Sequence, residues 1–220
     1  MKKYSDILKN CRLFDDIGDD DLIAMVGCLR AKVRTYGKNQ AIMSEGEKAS
    51  DIGIMLSGKA QLIRDDYYGN RSIVANIQPS QLFAESFVCA GADTVPVDII
   101  ATEDSEVMLI DGYHILHTCS NSCSFHNQMI FNLMKIVANK NLIFDQKIDI
   151  TSKRTTRDKL LTYLMHQSKA NGSDSFVIPY DRQELADYLE VDRSGLSAEI
   201  SKLRREGVLE CRKNEFRLLV

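Results

Sequence analysis

Hydrophobic and polar residues alternate along the chain between positions 32 and 110. The segments GIMLSGKAQLIR and VDIIATEDSEVMLI show the alternation most clearly, and a period of two residues is typical of strands buried on one face. Glycines at 46, 58, 69 and 91 separate the runs, where sharp turns favour them. Many short strands at this spacing predict a β-sandwich or roll. Two short helical segments, around 4–10 and 19–29, precede it.

The hydrophobic period changes at position 121, where a segment without glycine or proline begins and extends to about 150. Its apolar residues form two stripes at helical spacing: Met129, Leu133, Ile136 and Ile143 on one, and Ile130, Val137, Phe144 and Ile148 on the other. A helix of roughly eight turns is too long to lie on one small domain. Two stripes indicate two partners, so we predict a homodimer through the 121–150 helix. The alternative is a helix packed within a monomer.

The last seventy residues show a third pattern. Helical periodicity over 154–168 is followed by the loop NGSDS and the short strand FVIPY. Asp181 and Glu184 form a capping-box pattern at the start of one helix, and Asp192 is placed to cap the next. The buried face of that second helix is formed by Leu196, Ile200 and Leu203. Gly207 ends it, and VLECRKNEFRLLV alternates as a wing, so the pattern predicts a winged helix-turn-helix.

The outward face of the second helix carries polar and basic side chains: Arg193, Ser194, Ser197, Ser201 and Lys202. Such a face suits the major groove of DNA, whereas phosphate would repel an acidic one. The net charge of the whole chain is only −3. However, residues 151–220 hold 13 Lys and Arg against 11 Asp and Glu, a net of +2, and residues 1–110 hold 12 against 17, a net of −5. A mildly basic C-terminal module is compatible with DNA contact.

Composition narrows the class of protein. Hydrophobic residues make up 44% of the chain, enough for one large core or two modest ones. No apolar run reaches the ~20 residues of a membrane helix, and the basic N-terminus lacks the apolar core of a signal peptide. We therefore expect a cytoplasmic protein with no membrane partner. No GxSxG, P-loop or HExxH motif occurs, so we do not expect an enzyme.

Nearly the whole chain resembles the Crp/Fnr family of transcription regulators. The resemblance rests on Gly46 and Glu47, on SGKA at 57–60, on LFAES at 82–86, on the long helix, and on the motif DRQELADYLEVDRSGLSAEISKLRREGVL. It implies an α+β fold in three parts: an N-terminal double-stranded β-helix (a jelly roll of the cyclic-nucleotide-binding type) at 1–118, a dimerisation helix at 119–152, and a winged helix-turn-helix at 153–220. It further implies a dimer on near-palindromic DNA, with RNA polymerase as a partner if the protein is an activator.

The resemblance also assigns DNA contacts by position. It places base contacts at Arg193, Ser194, Ser197 and Ala198 and phosphate contacts at Arg182 and Gln183; Ser201 and Lys202 complete the predicted set. Glu190 stands where the family usually has glycine in the turn, and Gly195 weakens the second helix by up to ~1 kcal/mol relative to alanine. Ala198 replaces an arginine found in many relatives. We therefore expect an operator unlike the best-known consensus sequences, with Arg193 as its main base contact.

The predicted ligand site departs from the family pattern. A cyclic-nucleotide pocket needs backbone N–H groups and an arginine for the phosphate, and a carboxylate for the ribose. Glu85 keeps the carboxylate, but Val95 and Pro96 stand where the arginine and a serine would be, and proline removes a backbone donor. This argues against cyclic AMP. We expect another small organic effector, or none, in a pocket formed by Phe83, Glu85, Ser86, Val95 and Pro96 and covered by Leu142 or Ile143.

Six cysteines, without a CxxC pair, leave further inputs open. An iron–sulfur cluster needs four clustered cysteines, and only Cys11 and Cys28 lie near the N-terminus, which argues against one. In a helix that starts by residue 119, Cys119, Cys123 and His126 would share one face. Zinc, another soft metal, haem or a thiol switch would suit that face. The alternative is that these side chains simply pack against the β-rich domain.

Overall fold

The computed structural model describes residues 2–18, 21–22, 25, 28–117 and 124–219. Contacts divide the chain into two units, one of residues 1–64 and 74–141, the other of 65–73 and 142–220. Both sheets of a β-roll, a long helix and a winged helix-turn-helix are present, so the predicted α+β architecture is confirmed.

The β-roll consists of two sheets. The strands of the first, in spatial order, are β1 (Lys32–Tyr36), β8 (Ser105–Asp111), β3 (Asp51–Ser57) and β6 (Leu82–Phe83). The strands of the second are β2 (Ala41–Met43), β7 (Asp98–Ala101), β4 (Ala60–Asp65) and β5 (Arg71–Ile77). The antiparallel pairing of β3 with β8, which sets Ile54 opposite Met108, forms the centre of the first sheet.

The alternation in the central strands separates two cores; it does not separate a buried face from a solvated one. Along β3, Ile52 and Ile54 belong to one hydrophobic cluster and Met55 belongs to another. Along β8, Met108 belongs to the first of these clusters and Val107 belongs to the second. Successive side chains of a strand point to opposite faces, and here each face is covered. The prediction of strands buried on one face is therefore wrong for β3 and β8, because packing covers the second face.

Gly53 in β3 is required by a close approach. A Cβ atom at this position would lie 2.0 Å from the Phe83 ring, which is itself buried. The aromatic side chain thus packs directly on the strand backbone, and no larger residue than glycine fits beneath it.

The helices of the first unit include three short ones, α1 (Ser5–Lys9), α2 (Glu85–Cys89) and α3 (Gly112–Leu116). The long helix α4 (Ser124–Thr151) runs from this unit into the second. Its predicted first residues, 121–123, lie outside the described part. Met129, Leu133 and Ile136 are buried in the first core, as the stripe predicts, whereas Ile143 is 56% exposed. Within the described residues, no helix has the length and apolarity to cross a membrane.

The second unit continues with α5 (Thr156–Asn171), β9 (Ser175–Val177), α6 (Arg182–Leu189), α7 (Arg193–Arg205), β10 (Leu209–Arg212) and β11 (Glu215–Leu218). The predicted wing is the β10–β11 hairpin, and β9 adds to its edge. The inner faces of α6 and α7 form the core through Leu185, Leu189, Leu196 and Leu203.

Candidate nucleic-acid interface and sensor site

The first helix of the helix-turn-helix, α6, begins at the predicted capping box. The Asp181 carboxylate accepts from the Glu184 N–H, and the Glu184 carboxylate accepts from the Asp181 N–H, each at 2.8 Å. At the other end Glu190 is left-handed, with φ of 54°. This conformation favours glycine, so Glu190 keeps the geometry of the turn at some strain.

The second helix, α7, is capped by Asp192, as predicted. Its carboxylate accepts from the Gly195 N–H at 2.7 Å and from the Ser194 hydroxyl. The Ser194 hydrogen bond, followed by the backbone bond from Gly195, holds the pKa of Asp192 below its usual value. With Leu196, Ile200 and Leu203 buried, the opposite face of α7 is turned to solvent.

The predicted contact residues of α7 lie on that outer face. Arg193, Ser194, Ala198, Ser201 and Lys202 are exposed and Ser197 is half-buried. Two hydroxyls are engaged within the helix, since Ser194 donates to Asp192 and Ser201 donates to the Ser197 carbonyl at 2.9 Å. Among the residues that the structure describes, the Arg193 side chain makes no hydrogen bond or ion pair. It is therefore available to a ligand without breaking an internal contact.

Arg182 and Gln183, the two residues at the start of α6 that are predicted to contact phosphate, both make hydrogen bonds within the chain. Gln183 donates to Asp187 at 2.8 Å. The Arg182 guanidinium donates to Cys211 Sγ and to the Lys213 carbonyl, both at 3.4 Å, and so ties α6 to the wing. This hydrogen bonding of Arg182 to the wing has no counterpart in the local sequence pattern.

Arg157 on α5 forms two ion pairs that the sequence did not indicate. Its guanidinium lies 3.2 Å from the Glu199 carboxylate and 2.7 Å from that of Glu206, the latter directly after α7. The hydrogen bond from Arg157 lowers the pKa of Glu206. These two carboxylates, within and directly after α7, are thereby paired, which weakens their repulsion of a polyanion.

Two lysines meet the carbonyl end of α6, again unforeseen from the sequence. Lys147 of α4 is 9% exposed and donates to the carbonyls of Tyr188 and Ile73, the latter at 3.2 Å. Its ammonium also lies 3.7 Å from the centre of the Tyr188 ring. Lys159 of α5 donates to the carbonyls of residues 189 and 190, each at 3.2 Å. Cations are favourable at a helix C-terminus, but burial lowers the pKa of Lys147 to about 8.

The residues predicted for the effector pocket divide between the two units. In the first unit Phe83, Glu85 and Val95 are buried, Ser86 is half-buried and Pro96 is exposed. In the second unit Leu142 and Ile143 are 64% and 56% exposed.

Glu85, 1% exposed, is paired with a lysine of the long helix. Its Oε1 lies 2.8 Å from Lys140 Nζ and accepts from Ser86 Oγ at 3.1 Å. Lys140 also donates to the Leu82 carbonyl at 2.8 Å. Glu85 Oε2 has no hydrogen-bond partner in the described part of the chain. The carboxylate expected to meet a ribose thus meets an ammonium of its own chain.

Of the candidate metal or redox residues, Cys119 and Cys123 lie outside the described residues. His126 is buried, and its Nε2 donates to the Ile115 carbonyl at 3.0 Å, which leaves only Nδ1 as a possible ligand. Cys11 is fully buried, and this burial raises its pKa to about 12. In the part of the chain described, no three His, Cys, Asp or Glu side chains are grouped to hold a metal ion.

Comparisons with known proteins agree with this arrangement. Residues 33–122 match the family described as cyclic nucleotide-binding domain, and residues 158–219 match the Crp-like helix-turn-helix domain. The chain is 24% identical over 191 residues to the transcriptional activator protein FnrL of Cereibacter sphaeroides, covering 80% of this chain and 71% of FnrL.

Two solved structures show the same fold. FixK2 from Bradyrhizobium japonicum has a TM-score of 0.66 at 18% identity, covering 86% of this chain and 93% of its own. The c-di-GMP responsive global regulator CLP of Xanthomonas campestris has a TM-score of 0.71 at 16% identity, covering 89% and 98%.

Proposed function

We infer that this chain, which belongs to the Crp/Fnr family of transcription regulators, acts as a homodimer that binds a near-palindromic DNA operator through α7. The observation that carries the inference is the outer face of α7, where Arg193 is exposed and has no partner among the described residues. The pairing of Arg157 with Glu199 and Glu206 supports it, because paired carboxylates repel a polyanion less.

Selection from random DNA followed by binding measurements tests the inference. We expect a palindrome to be enriched. Arg193→Ala should weaken operator binding by roughly 10- to 100-fold, since a good base contact is worth ~1–3 kcal/mol. Binding to unrelated DNA should fall much less.

Lys169→Ala, at an exposed site in the last turn of α5, removes the same amount of charge away from α7 and should bind as the parent does. Unchanged operator affinity in the Arg193 variant would contradict the assignment. If no palindrome is enriched, the chain acts through protein contacts instead.

Helix α4 supports the proposed dimer. At 100° per residue, Phe131, Met134, Ala138 and Leu142 fall within an arc of about 80°, and all four are exposed. This arc lies opposite the buried stripe that includes Leu133, and it differs from the second predicted stripe, of which Val137 packs against the first core. An exposed apolar seam on a long helix suits the same helix of a second copy.

Met134→Glu should therefore shift the protein towards monomer in sedimentation velocity, because two like charges would meet at the two-fold axis. Asn139→Glu adds the same charge at an exposed position of α4 that lies about 60° outside this arc, and it serves as the control. A dimer of unchanged stability in the Met134 variant would count against α4 as the interface.

We also propose that the β-roll does not take cyclic AMP. Val95 and Pro96 provide neither the arginine nor the backbone donor that the phosphate needs, and Glu85 is already paired with Lys140. Thermal unfolding with millimolar cyclic AMP should show no increase in Tm. A shift that saturates at micromolar nucleotide would refute this.

A further inference from the structure

Glu85 is a buried carboxylate that is compensated by other side chains of the same protein. A carboxylate that is 1% exposed is strongly destabilised unless a cation or several hydrogen bonds compensate it. Within the described residues, the cation in ion-pair distance is Lys140, with Ser86 adding a single hydrogen bond to the same oxygen. The contacts that compensate the buried Glu85 carboxylate therefore include a side chain of the long helix.

Lys140 joins both sides of the turn that would cradle a ligand. Its ammonium donates to the Leu82 carbonyl at the start of β6 and to the Glu85 carboxylate at the first residue of α2, each at 2.8 Å. Between them Ala84 is left-handed, with φ of 63°. One side chain of α4 thus holds a strained turn of the β-roll in place.

We propose that Lys140 is a built-in substitute for a ligand at Glu85, so that the chain's own ammonium holds α4 on the β-roll and the protein binds its operator with no small molecule at this site. The statement about the operator rests on the proposed function. The contacts of Lys140 with Leu82 and Glu85, which we call the tether, do not depend on that function.

Competition explains why a sugar hydroxyl would not displace Lys140. A hydroxyl offers Glu85 a hydrogen bond from a neutral donor, whereas the ammonium offers a charge-assisted one that is roughly twice as strong. Lys140 is also covalently part of the site and so does not lose the translational freedom that a free ligand loses on binding. A molecule that displaced it would have to supply an anion for the released ammonium, which a ribose does not.

The tether can be tested without DNA by hydrogen–deuterium exchange of the full-length protein. Lys140→Met keeps the length of the side chain and removes its charge, and we expect amide exchange within 82–89 to rise at least tenfold. Lys38→Met, at an exposed turn of the same unit, should leave this exchange unchanged. Equal exchange in the parent and the Lys140 variant would overturn the proposal.

A second variant separates the loss of the tether from a stranded charge. Glu85→Gln combined with Lys140→Met removes both charges, so its Tm should recover relative to Lys140→Met alone, while exchange within 82–89 stays elevated. If exchange returned to the parent level, the ion pair would not be what holds the turn, and the proposal would fail.

The functional arm uses protein that mass spectrometry shows to be free of bound small molecules. The parent should bind the selected operator with an affinity that does not depend on an added small molecule, and Lys140→Met should bind at least tenfold more weakly. If the parent binds only after a small molecule is added, the built-in substitute is refuted. If neither protein binds any selected DNA although the exchange results hold, the tether stands and it is the DNA-binding function that fails.

Discussion

Lys147 makes the stability of the second unit depend on pH in a predictable direction. Its ammonium is 9% exposed, and burial lowers the pKa from 10.5 to about 8. The nearby charges are the Glu190 carboxylate, which opposes the shift, and the Lys159 ammonium, which adds to it. A difference of about 2.5 pH units corresponds to roughly 3 kcal/mol between the protonated and neutral forms.

The direction in which the unfolding free energy changes with pH follows from the protons that Lys147 binds in the folded and unfolded states. Between pH 8 and pH 10.5 the unfolded chain holds a proton on Lys147 and the folded protein does not, so the free energy of unfolding from this group increases as pH rises through that window. Below pH 8 the penalty for the buried charge is fully present. The neutral amine keeps two N–H groups, enough for the carbonyls of Ile73 and Tyr188.

Urea unfolding of the parent and of Lys147→Met at pH 7, 8, 9 and 10, followed by circular dichroism, measures the effect. The difference in unfolding free energy between the two should shift in favour of the parent by up to about 3 kcal/mol from pH 7 to pH 10. Lys169→Met, an exposed lysine of α5, should run parallel to the parent. Parallel curves for the Lys147 variant as well would refute the reasoning.

Three further predictions concern single residues. Gly53→Ala should lower the unfolding free energy by roughly 1–3 kcal/mol, because the added Cβ would lie 2.0 Å from the Phe83 ring; urea unfolding with an unchanged midpoint would contradict this. Gly195→Ala should raise the Tm by a few degrees, since alanine gains up to ~1 kcal/mol in a helix and its Cβ would lie 3.6 Å from Asp192. Asp181→Ala should cost about 1 kcal/mol in urea unfolding through loss of the capping box, whereas Asp181→Asn should cost far less.

The local features of this protein could be predicted from its sequence. The capping box at Asp181, the cap at Asp192 and the buried stripe of Leu196 and Ile200 depend on residues only a few positions apart. Such features repeat with the period of a helix or strand, so the winged helix-turn-helix and the β-roll were recognisable. The exposure of Arg193 followed from the same periodicity.

Tertiary structure decided what each charged side chain contacts. Lys140 meets Glu85, Arg157 meets Glu199 and Lys147 meets the end of α6 because folding brings distant segments together. Neither the period of a helix nor the type of a residue specifies such a partner. Burial matters equally, since the energy of a charge depends on how much water surrounds it. The sequence alone therefore determined the elements and the exposed face of α7, and only the packed chain determined that the Glu85 carboxylate is paired with Lys140.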